Sequence, residues 1–379
     1  MTETPDLILV RQTFTPFGGA ERFVGRALDS LRGQGVGVAV LARRWRGEAA
    51  YPVIPCNPFS IGRLWRDAGF ARAACQRLRD YPNSLVQSHE RIPCCDLYRA
   101  GDGVHREWLR QRARLRGRAD HLARFSPYHR YQLAAERRLF ASPRLQRVIC
   151  NSHMVADELR HWYQLSDERI AVIHSGVDTE RFHPARRAGL REAMRERLGI
   201  RPHETLLLFV GSGYERKGLE ALLRALRGLP RTTRLAVVGR DSHERRWRRW
   251  ARRLGVTMRR RVLFAGPQED VLPWYAAADV LTLPTLYDPF PNVILEAMAC
   301  GLPVVTSTKS GARDILRDGD NGYVRDALDQ AGVRDAIEAL SEPGWRERVG
   351  RAARATVEPM TLTRMAEAYR ALYQELLAD

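Results

Sequence analysis

The sequence has almost no lysine, no long apolar run and no patterned cysteines. Lysine occurs only at positions 217 and 309 among 379 residues, so arginine carries nearly all of the positive charge. No stretch reaches the ~18 consecutive apolar residues that a membrane-spanning helix requires. The six cysteines contain no C-x-x-C pair and no cysteine–histidine cluster at zinc-site spacing. We therefore expect all of them to be reduced thiols.

The amino-terminal segment lacks the basic region and cleavage site of a secretory signal, so we expect a cytoplasmic protein. The formal net charge is +18. Such a cation excess favours anionic partners, namely nucleic acid, an anionic membrane face or phosphorylated substrates. A high-GC genome would explain the use of arginine in place of lysine. It would not explain the excess of basic over acidic residues.

Strand and helix patterns alternate along the chain in two series. The first series has apolar strand patterns at 7–10, 36–42, 84–89, 147–152 and 170–178. Proline, glycine and charge at 179–189 indicate a linker. The second series has strand patterns at 205–212, 234–240, 261–266, 279–284 and 303–307. This alternation predicts an α/β protein with two doubly wound domains, in which ligands bind beyond the carboxyl ends of the strands.

Two glycine-rich turns follow strand patterns. Gly18 and Gly19 in "FTPFGGAER" let the backbone approach a ligand and precede a helix start, although a tight turn without a ligand remains open. The turn is not G-x-G-x-x-G and no acid closes the second strand, which disfavours a nicotinamide dinucleotide. The second turn, "FVGSGYERKG", brings Arg216 and Lys217 to a helix start. A cation pair beside free N–H groups suits a diphosphate.

The segment "YDPFPNVILEAMACGLPVV" at 287–305 carries two carboxylates in a basic chain. Asp288 lies in a loop after a strand, and Pro291 suits the first turn of a helix. Asn292 and Val293 would then present unpaired N–H groups, and Glu296 would follow in the first or second turn. Interaction with the helix dipole would explain Glu296 alone, but it would not explain the whole arrangement.

Several spaced motifs resemble those of retaining glycosyltransferases of family 4, which have the two-domain GT-B fold. The D-x7-E pair followed by "AMACGLPVVTS" is similar to the E-x7-E region of that family, and "PFGGAER", "GSGYERKG" and "DGDNGYV" stand where the family would place them. With "DLYRAGDGVH" and "SPYHRYQLAAERRLF", the chain looks most similar to the lipopolysaccharide core glucosyltransferase I group. The similarity spans most of the chain.

The resemblance implies two Rossmann-like domains that face each other across a cleft. The acceptor-side domain would occupy residues 1–180 and the nucleotide-sugar donor domain residues 181–362. A helix at 363–379 would cross back to the first domain. The implied activity is metal-independent transfer of a hexose, glucose from UDP-glucose, to an inner-core heptose of lipopolysaccharide or a similar lipid-linked glycan. Another UDP sugar (N-acetylglucosamine or galactose) or a GDP sugar, and another cell-surface glycan, remain open.

The resemblance also implies a role for each matching residue. Gly18 and Gly19 would approach the donor diphosphate, Arg216 and Lys217 would neutralise it, and the amides of Asn292 and Val293 would add donors. Glu296 would bind the ribose hydroxyls. Asp288 would contact the donor sugar, with a side chain one methylene shorter than the usual glutamate. Asp102 in "AGDGVH" matches the acidic position near the reacting centre, whereas His105 is interpreted as an ordinary residue.

Charge stabilisation by Arg216, Lys217 and helix-end amides would make a metal and other cofactors unnecessary. The "DGD" at 318–320 is interpreted as a polar turn rather than a metal site. In the absence of an obvious carboxylate nucleophile, retention indicates attack on the same face of the sugar within an ion pair.

Two basic segments, 105–125 and 243–261, contain tryptophan among their arginines. This composition suits an anionic membrane face, and we expect peripheral binding at the cytoplasmic face of the inner membrane. A solvated arginine surface is the alternative. The charge alone would also suit a basic nucleic-acid-binding protein, but the sequence contains no recognisable nucleic-acid module, so no specific nucleic-acid partner is expected.

Overall fold

The computed structural model describes residues 4–14, 33, 35–45, 51–117, 126–255 and 261–378. The chain divides into two compact units. The first unit comprises Met1–His174 together with Leu362–Asp379, and the second comprises Ser175–Thr361.

The first unit contains a parallel sheet of seven described strands in the order β3-β2-β1-β4-β5-β6-β7. Their bounds are β1 Leu7–Phe14, β2 Val38–Trp45, β3 Val53–Pro55, β4 Leu85–Ser88, β5 Leu97–Arg99, β6 Arg147–Cys150 and β7 Ile170–Val172. The described helices of this unit are α1 Gly62–Arg77, α2 His105–Arg116, α3 Pro127–Phe140, α4 His153–Tyr163 and the carboxyl-terminal α12 Leu362–Ala378. The strand order reverses between β1 and β4, which is the doubly wound pattern.

The second unit contains a parallel sheet of six described strands in the order β10-β9-β8-β11-β12-β13. Their bounds are β8 Thr205–Val210, β9 Thr233–Val238, β10 Val262–Gly266, β11 Val280–Leu283, β12 Val304–Ser307 and β13 Tyr323–Arg325. The described helices are α5 Pro184–Arg197, α6 Leu219–Gly228, α7 Glu244–Arg253, α8 Leu272–Ala277, α9 Asn292–Ala299, α10 Gln330–Ala339 and α11 Pro343–Val357. Apolar runs such as that of β8 are buried because helices cover both faces of a parallel sheet.

The predicted α/β fold with two doubly wound sheets is confirmed, and the ten strand patterns correspond to strands of these sheets. Three short strands, β3, β5 and β13, are additional. The predicted linker at 179–189 is wrong in its second half, because α5 begins at Pro184. The side chain of His183 caps that helix by accepting from the Ala185 N–H at 3.1 Å, so this stretch belongs to the second unit.

Helix α12 packs on the core of the first unit. Its Met365, Tyr369 and Tyr373 are buried in one cluster with Leu7 and Val40 of the central strands. The Tyr373 hydroxyl donates to Gln87 at 2.7 Å, and the Tyr369 hydroxyl accepts from Arg99 at 2.9 Å. Apolar burial and buried hydrogen bonds therefore both attach the end of the chain to the first sheet.

Buried arginines connect elements of the second unit. Arg191 and Arg195 of α5 donate to carbonyl oxygens at the end of α8, and both pair with the buried carboxylate of Asp279. Burial opposes ionisation of Asp279, yet Arg191 and the Leu206 N–H hold its pKa below the ordinary value. Part of the positive charge thus supports the fold and is not presented to a partner.

The expectation that all cysteines are reduced is wrong, because Cys75 near the end of α1 forms a disulfide with Cys94. The other four cysteines are free and buried. This pair could not be predicted from the sequence, since its spacing matches no motif. The two cysteines meet because α1 packs beside the loop that precedes β5.

Removing this disulfide should destabilise the first unit. The disulfide closes a loop of 19 residues and so restricts the unfolded chain. In the loop-entropy model this restriction adds about 3 kcal/mol to the free energy of unfolding. We expect the variant Cys75→Ser/Cys94→Ser to unfold at lower urea concentration than the oxidised protein. Dithiothreitol should shift the native protein to the same midpoint and leave the double variant unchanged. Equal midpoints of the oxidised protein and the variant would contradict the expectation.

Candidate functional site

Two loops of the second unit meet where its strand order reverses. The turn after β8, residues 211–218, leads into α6, and the loop after β11, residues 284–291, leads into α9. Strands β8 and β11 are neighbours in the sheet. Ligands of doubly wound sheets bind at such a switch point, beyond the carboxyl ends of the strands.

Glycines allow these two loops to touch. A Cβ atom on Gly218 would lie 1.7 Å from the Pro284 carbonyl oxygen, and Gly218 has a φ of +79°, so only glycine fits there. The Arg216 carbonyl accepts from the Leu286 N–H at 2.9 Å and from the Thr285 hydroxyl at 2.8 Å. The turn is therefore fastened to the end of β11 by its backbone.

Lys217 and Asp288 form an ion pair between the two loops. Both side chains are mostly buried, with 12% and 7% of their surfaces exposed. The Lys217 stem lies against Gly211, where a Cβ would approach it to 3.2 Å. The backbone of Asp288 is also fixed, since its N–H donates to the Lys309 carbonyl at 2.9 Å and its carbonyl accepts from the Gly311 N–H at 2.8 Å.

Glu296 lies in the second turn of α9, with its carboxylate held by Tyr275. The Tyr275 hydroxyl donates to Glu296 Oε2 at 2.8 Å and lies 3.3 Å from the Val293 carbonyl. Burial, and then the charge of Glu296, raise the pKa of Tyr275 well above its ordinary value. The phenol therefore remains protonated and donates to the carboxylate throughout the physiological pH range. Sequence reasoning did not include Tyr275, which comes from α8.

Unpaired donors surround the ion pair. Helix α9 begins at Asn292, and within the described chain neither the Asn292 N–H nor the Val293 N–H has an acceptor. The half-buried guanidinium of Arg216 makes no ion pair with a described residue. The Ser310 hydroxyl is buried and has no partner among the described residues. Backbone donors at a helix start, beside two cations, are suited to bind a phosphorylated ligand.

The structure brings together Arg216, Lys217, Asp288, Asn292, Val293 and Glu296 at this switch point. Gly18 and Gly19 lie outside the described residues. Asp102 belongs to the first unit, in a turn after β5. The "DGD" at 318–320 forms a turn in which Asp318 pairs with Arg325 and Asp320 pairs with Arg317.

His105 begins α2 and is part of a buried network. Its N–H donates to Glu136 at 2.6 Å, and its ring lies 3.0 Å from the His129 ring nitrogen. Burial, followed by the charge of Arg91, lowers the pKa of His105 to about 3. The imidazole therefore stays neutral at physiological pH, which is consistent with a structural role.

The first unit has a polar cavity of about 630 Å³ at its own switch point. Residues at the carboxyl ends of β1, β2, β4 and β5 line it, together with side chains of α1 and α3. Among the described residues, its charged lining comprises five arginines and three carboxylates: Arg11, Arg43, Arg44, Arg66, Arg91, Asp67, Glu90 and Asp102. A cavity with both signs of charge and two tyrosines, Tyr128 and Tyr131, suits a hydroxylated ligand that carries anionic groups.

Hydrogen bonds fix the carboxylates of this cavity. Asp67 accepts from Gln12 at 3.2 Å and Gln132 at 3.1 Å, and Gln12 also donates to Glu90 at 3.1 Å. Burial raises the pKa of Glu90, hydrogen bonds from Gln12 oppose this shift, and the nearby Asp102 adds to it. Asp102 itself is exposed. Sequence reasoning missed Asp67 and Glu90 because neither belongs to a motif.

The tryptophans of the two basic segments are partly buried. In α7, Trp247 and Trp250 pack against the core of the second unit, so its outer surface is polar. In α2 the buried residues are Glu107 and Gln111, and Trp108 is half-buried. Residues 118–125 and 256–260 lie outside the described chain. None of the described helices is long and apolar enough to traverse a bilayer.

Comparison with known proteins shows the family of the chain. Residues 17–181 match the model of Glycosyltransferase Family 4, and residues 204–342 match that of Glycosyl transferases group 1. The chain is 30% identical over 318 residues to the lipopolysaccharide glucosyltransferase WaaG of Escherichia coli K12, covering 82% of each protein. The chain is a family 4 glycosyltransferase.

Solved structures agree with this assignment. A crystal structure of WaaG, a glycosyltransferase involved in lipopolysaccharide biosynthesis, matches with a TM-score of 0.82 and 27% identity, covering 97% of this chain and 99% of that one. Anabaena HepE in complex with UDP-glucose matches with a TM-score of 0.72 and 20% identity over 97% of this chain and 99% of that one, which shows a shared fold.

A second relative covers less of the chain. The D-inositol 3-phosphate glycosyltransferase of Xylanimonas cellulosilytica is 36% identical over 217 residues, which are 55% of this chain and 52% of that protein.

The Lys217–Asp288 pair should contribute to the stability of the second unit. Removing one partner of a buried ion pair leaves an uncompensated charge, which costs about 3–5 kcal/mol. We expect Lys217→Met to lower the free energy of unfolding by about 3 kcal/mol. Lys217→Met/Asp288→Asn should recover part of this loss, because the charge is removed as well. Urea unfolding without added nucleotide measures the free energy of unfolding of both variants.

The exposed pair Arg351–Glu347, with side chains 68% and 71% accessible, provides the matched control. Glu347→Gln should change the unfolding free energy by less than about 1 kcal/mol. If Lys217→Met changed stability no more than Glu347→Gln, the pair would have no structural role.

Proposed function

We propose that this glycosyltransferase moves glucose from UDP-glucose, with retention of configuration, to an inner-core heptose of lipopolysaccharide or a similar lipid-linked glycan. The observation that carries the proposal is the convergence of Lys217, Arg216 and the free amides of α9 with two carboxylates at the switch point of the second unit. The similarity to the glucosyltransferase WaaG supports this donor and acceptor class.

The second unit would bind the donor. Lys217, Arg216 and the N–H groups of Asn292 and Val293 would surround the diphosphate, where negative charge increases as the nucleotide leaves. These donors would supply the stabilisation that a metal provides in other transferases, so we propose catalysis without a metal or other cofactor. Glu296, oriented by Tyr275, would accept hydrogen bonds from the ribose hydroxyls.

Asp288 would contact the donor sugar. Its backbone is held by hydrogen bonds to Lys309 and Gly311. Ser310, whose buried hydroxyl has no partner among the described residues, pairs with Asp288 in a β-bridge. Aspartate is one methylene shorter than the glutamate usual at this position. UDP-N-acetylglucosamine, UDP-galactose and a GDP sugar are therefore alternative donors for another cell-surface glycan.

The cavity of the first unit would receive the acceptor. Its carboxylates can accept hydrogen bonds from sugar hydroxyls, and its arginines can pair with phosphate or carboxylate groups on the acceptor. Asp102 would lie next to the reacting hydroxyl, and same-face attack within an ion pair would give retention. A lipid-linked acceptor would place the enzyme at the cytoplasmic face of the inner membrane.

A donor screen tests the assignment of the second unit. We expect UDP-glucose to raise the unfolding temperature more than UDP-N-acetylglucosamine, UDP-galactose or GDP sugars, and EDTA to leave that shift unchanged. Lys217→Ala and Glu296→Ala should each weaken UDP-glucose binding at least tenfold in calorimetry, because a charge-assisted contact is lost. Glu347→Gln is the control. Unchanged donor affinity in both alanine variants would refute the donor site.

Asp102 tests the assignment of the first unit. We expect Asp102→Asn to lower the transfer rate to a heptose-containing acceptor by roughly 100-fold, the scale of a lost acid–base contact. Affinity for UDP-glucose should not change, because Asp102 is not among the residues proposed to bind the donor. Asp80→Asn, at an exposed carboxylate with 61% of its side chain accessible, is the control. Weaker donor binding by Asp102→Asn would contradict this division of roles.

A further inference from the structure

Three large apolar side chains are exposed within seven residues of the first unit. Phe59 is 86% exposed, Ile61 70% and Trp65 67%, the largest values among the exposed large apolar residues of the described chain. We call these three residues the apolar patch. They lie on the loop between β3 and α1 and on the first turn of α1. Exposed aromatic and aliphatic side chains at such density mark an interaction surface.

The loop that carries the patch is held in one conformation. Arg43 of β2 donates to the Asn57 side chain at 3.0 Å, to the Pro58 carbonyl at 3.1 Å and to the Ser60 hydroxyl at 2.5 Å. These bonds fix the backbone on either side of Phe59. The patch is therefore presented outward by a braced loop, which reduces the entropy lost on binding.

The surroundings of the patch are cationic. Residues 57–66 contain Arg63 and Arg66, both exposed, and no acidic residue. The first acid of α1, Asp67, has 14% of its side chain accessible and accepts from Gln12 and Gln132 in the cavity. It also pairs with Arg66 at 3.0 Å, whereas Arg63 makes no ion pair with a described residue. Aromatic and aliphatic groups bordered by arginine match an anionic lipid surface, where the apolar groups enter the headgroup boundary and the guanidinium groups pair with phosphates.

The patch adjoins the polar cavity of the first unit. Ser60 and Arg66 line that cavity and alternate along the chain with the patch residues. We propose that Phe59, Ile61 and Trp65 form a membrane-docking surface that binds an anionic bilayer and sets the cavity beside the lipid headgroups. The inference rests on the proposed function only in that a lipid-linked acceptor would reach the cavity from that bilayer.

This surface differs from the two basic segments identified in the sequence. Helix α7 presents arginines but no exposed large apolar side chain, because Trp247 and Trp250 pack inward. Residues 57–66 combine exposed apolar side chains with arginine. Electrostatic attraction alone is lost in salt, whereas apolar insertion is not.

Vesicle sedimentation tests the proposal with the full-length protein. We expect binding to vesicles of phosphatidylethanolamine and phosphatidylglycerol, and weak binding to phosphatidylcholine. Phe59→Ser/Ile61→Ser/Trp65→Ser should lower the partition coefficient on anionic vesicles at least tenfold. Leu190→Ser/Leu263→Ser, at two exposed leucines of the second unit, is the matched control and should bind as the native protein does. Native partitioning of the triple variant would overturn the proposal.

Fluorescence quenching and light scattering distinguish insertion into lipid from binding of a second copy. Brominated lipids should quench the tryptophan fluorescence of the native protein more than that of Trp65→Phe, and equal quenching would overturn insertion of Trp65. If the triple variant kept its vesicle binding but changed from oligomer to monomer in light scattering, the patch would bind a second copy instead of lipid.

The test is independent of the proposed function, because vesicle binding requires neither donor nor acceptor. The triple variant should retain the native unfolding temperature and its stabilisation by UDP-glucose, since none of its three substituted side chains lines the cavity or belongs to the proposed donor site. It should also transfer sugar to a water-soluble acceptor at the native rate. Loss of transfer to a membrane-embedded acceptor alone would be the expected functional consequence. An equal loss with both acceptors would overturn the docking role.

Discussion

An ammonium and a carboxylate that are both shielded from water must be held together by their surroundings, and the second unit is built to hold Lys217 against Asp288. Glycine at 218 lets the turn after β8 contact the end of β11. The Arg216 carbonyl accepts two hydrogen bonds that hold that turn in place, and backbone hydrogen bonds with Lys309 and Gly311 hold Asp288. Because the pair is already held in place, little reorganisation is needed when a negatively charged group binds beside it. Preorganisation of this kind is what stabilises the charge on a leaving group.

In both units the candidate binding residues lie at the point where the strand order reverses, but the residue types differ. Each parallel sheet reverses its strand order at one point, between β1 and β4 or between β8 and β11. In the second unit the loops at this point carry Arg216 and Lys217, the amides at the start of α9 and the carboxylates of Asp288 and Glu296. In the first unit this point collects arginines and carboxylates around a cavity. The common fold thus supplies the location, and the loops supply the selectivity.

The sequence allowed the sheets, and most of the residues that lie at the switch point of the second unit, to be predicted. Apolar runs such as residues 205–210 mark buried strands, and glycine and proline mark the turns that carry Lys217 and Asp288. The short strand Tyr323–Arg325 has no apolar run, so its pattern is too weak to recognise. Tyr275 and Asp67 reach their sites only through packing. The Cys75–Cys94 bond likewise depends on where a helix lies against a loop, which local patterns do not encode.

The scarcity of lysine has a practical consequence. Apart from the terminal amine, the chain has two primary amines, at Lys217 and Lys309. One pairs with the Asp288 carboxylate, and the backbone of the other accepts from the Asp288 N–H. Amine-selective reagents are therefore directed to a single region of a 379-residue protein. Because the other basic side chains are arginines, which do not react with these reagents, the extent of acylation at the two lysines reports whether a ligand occupies the space beside Asp288.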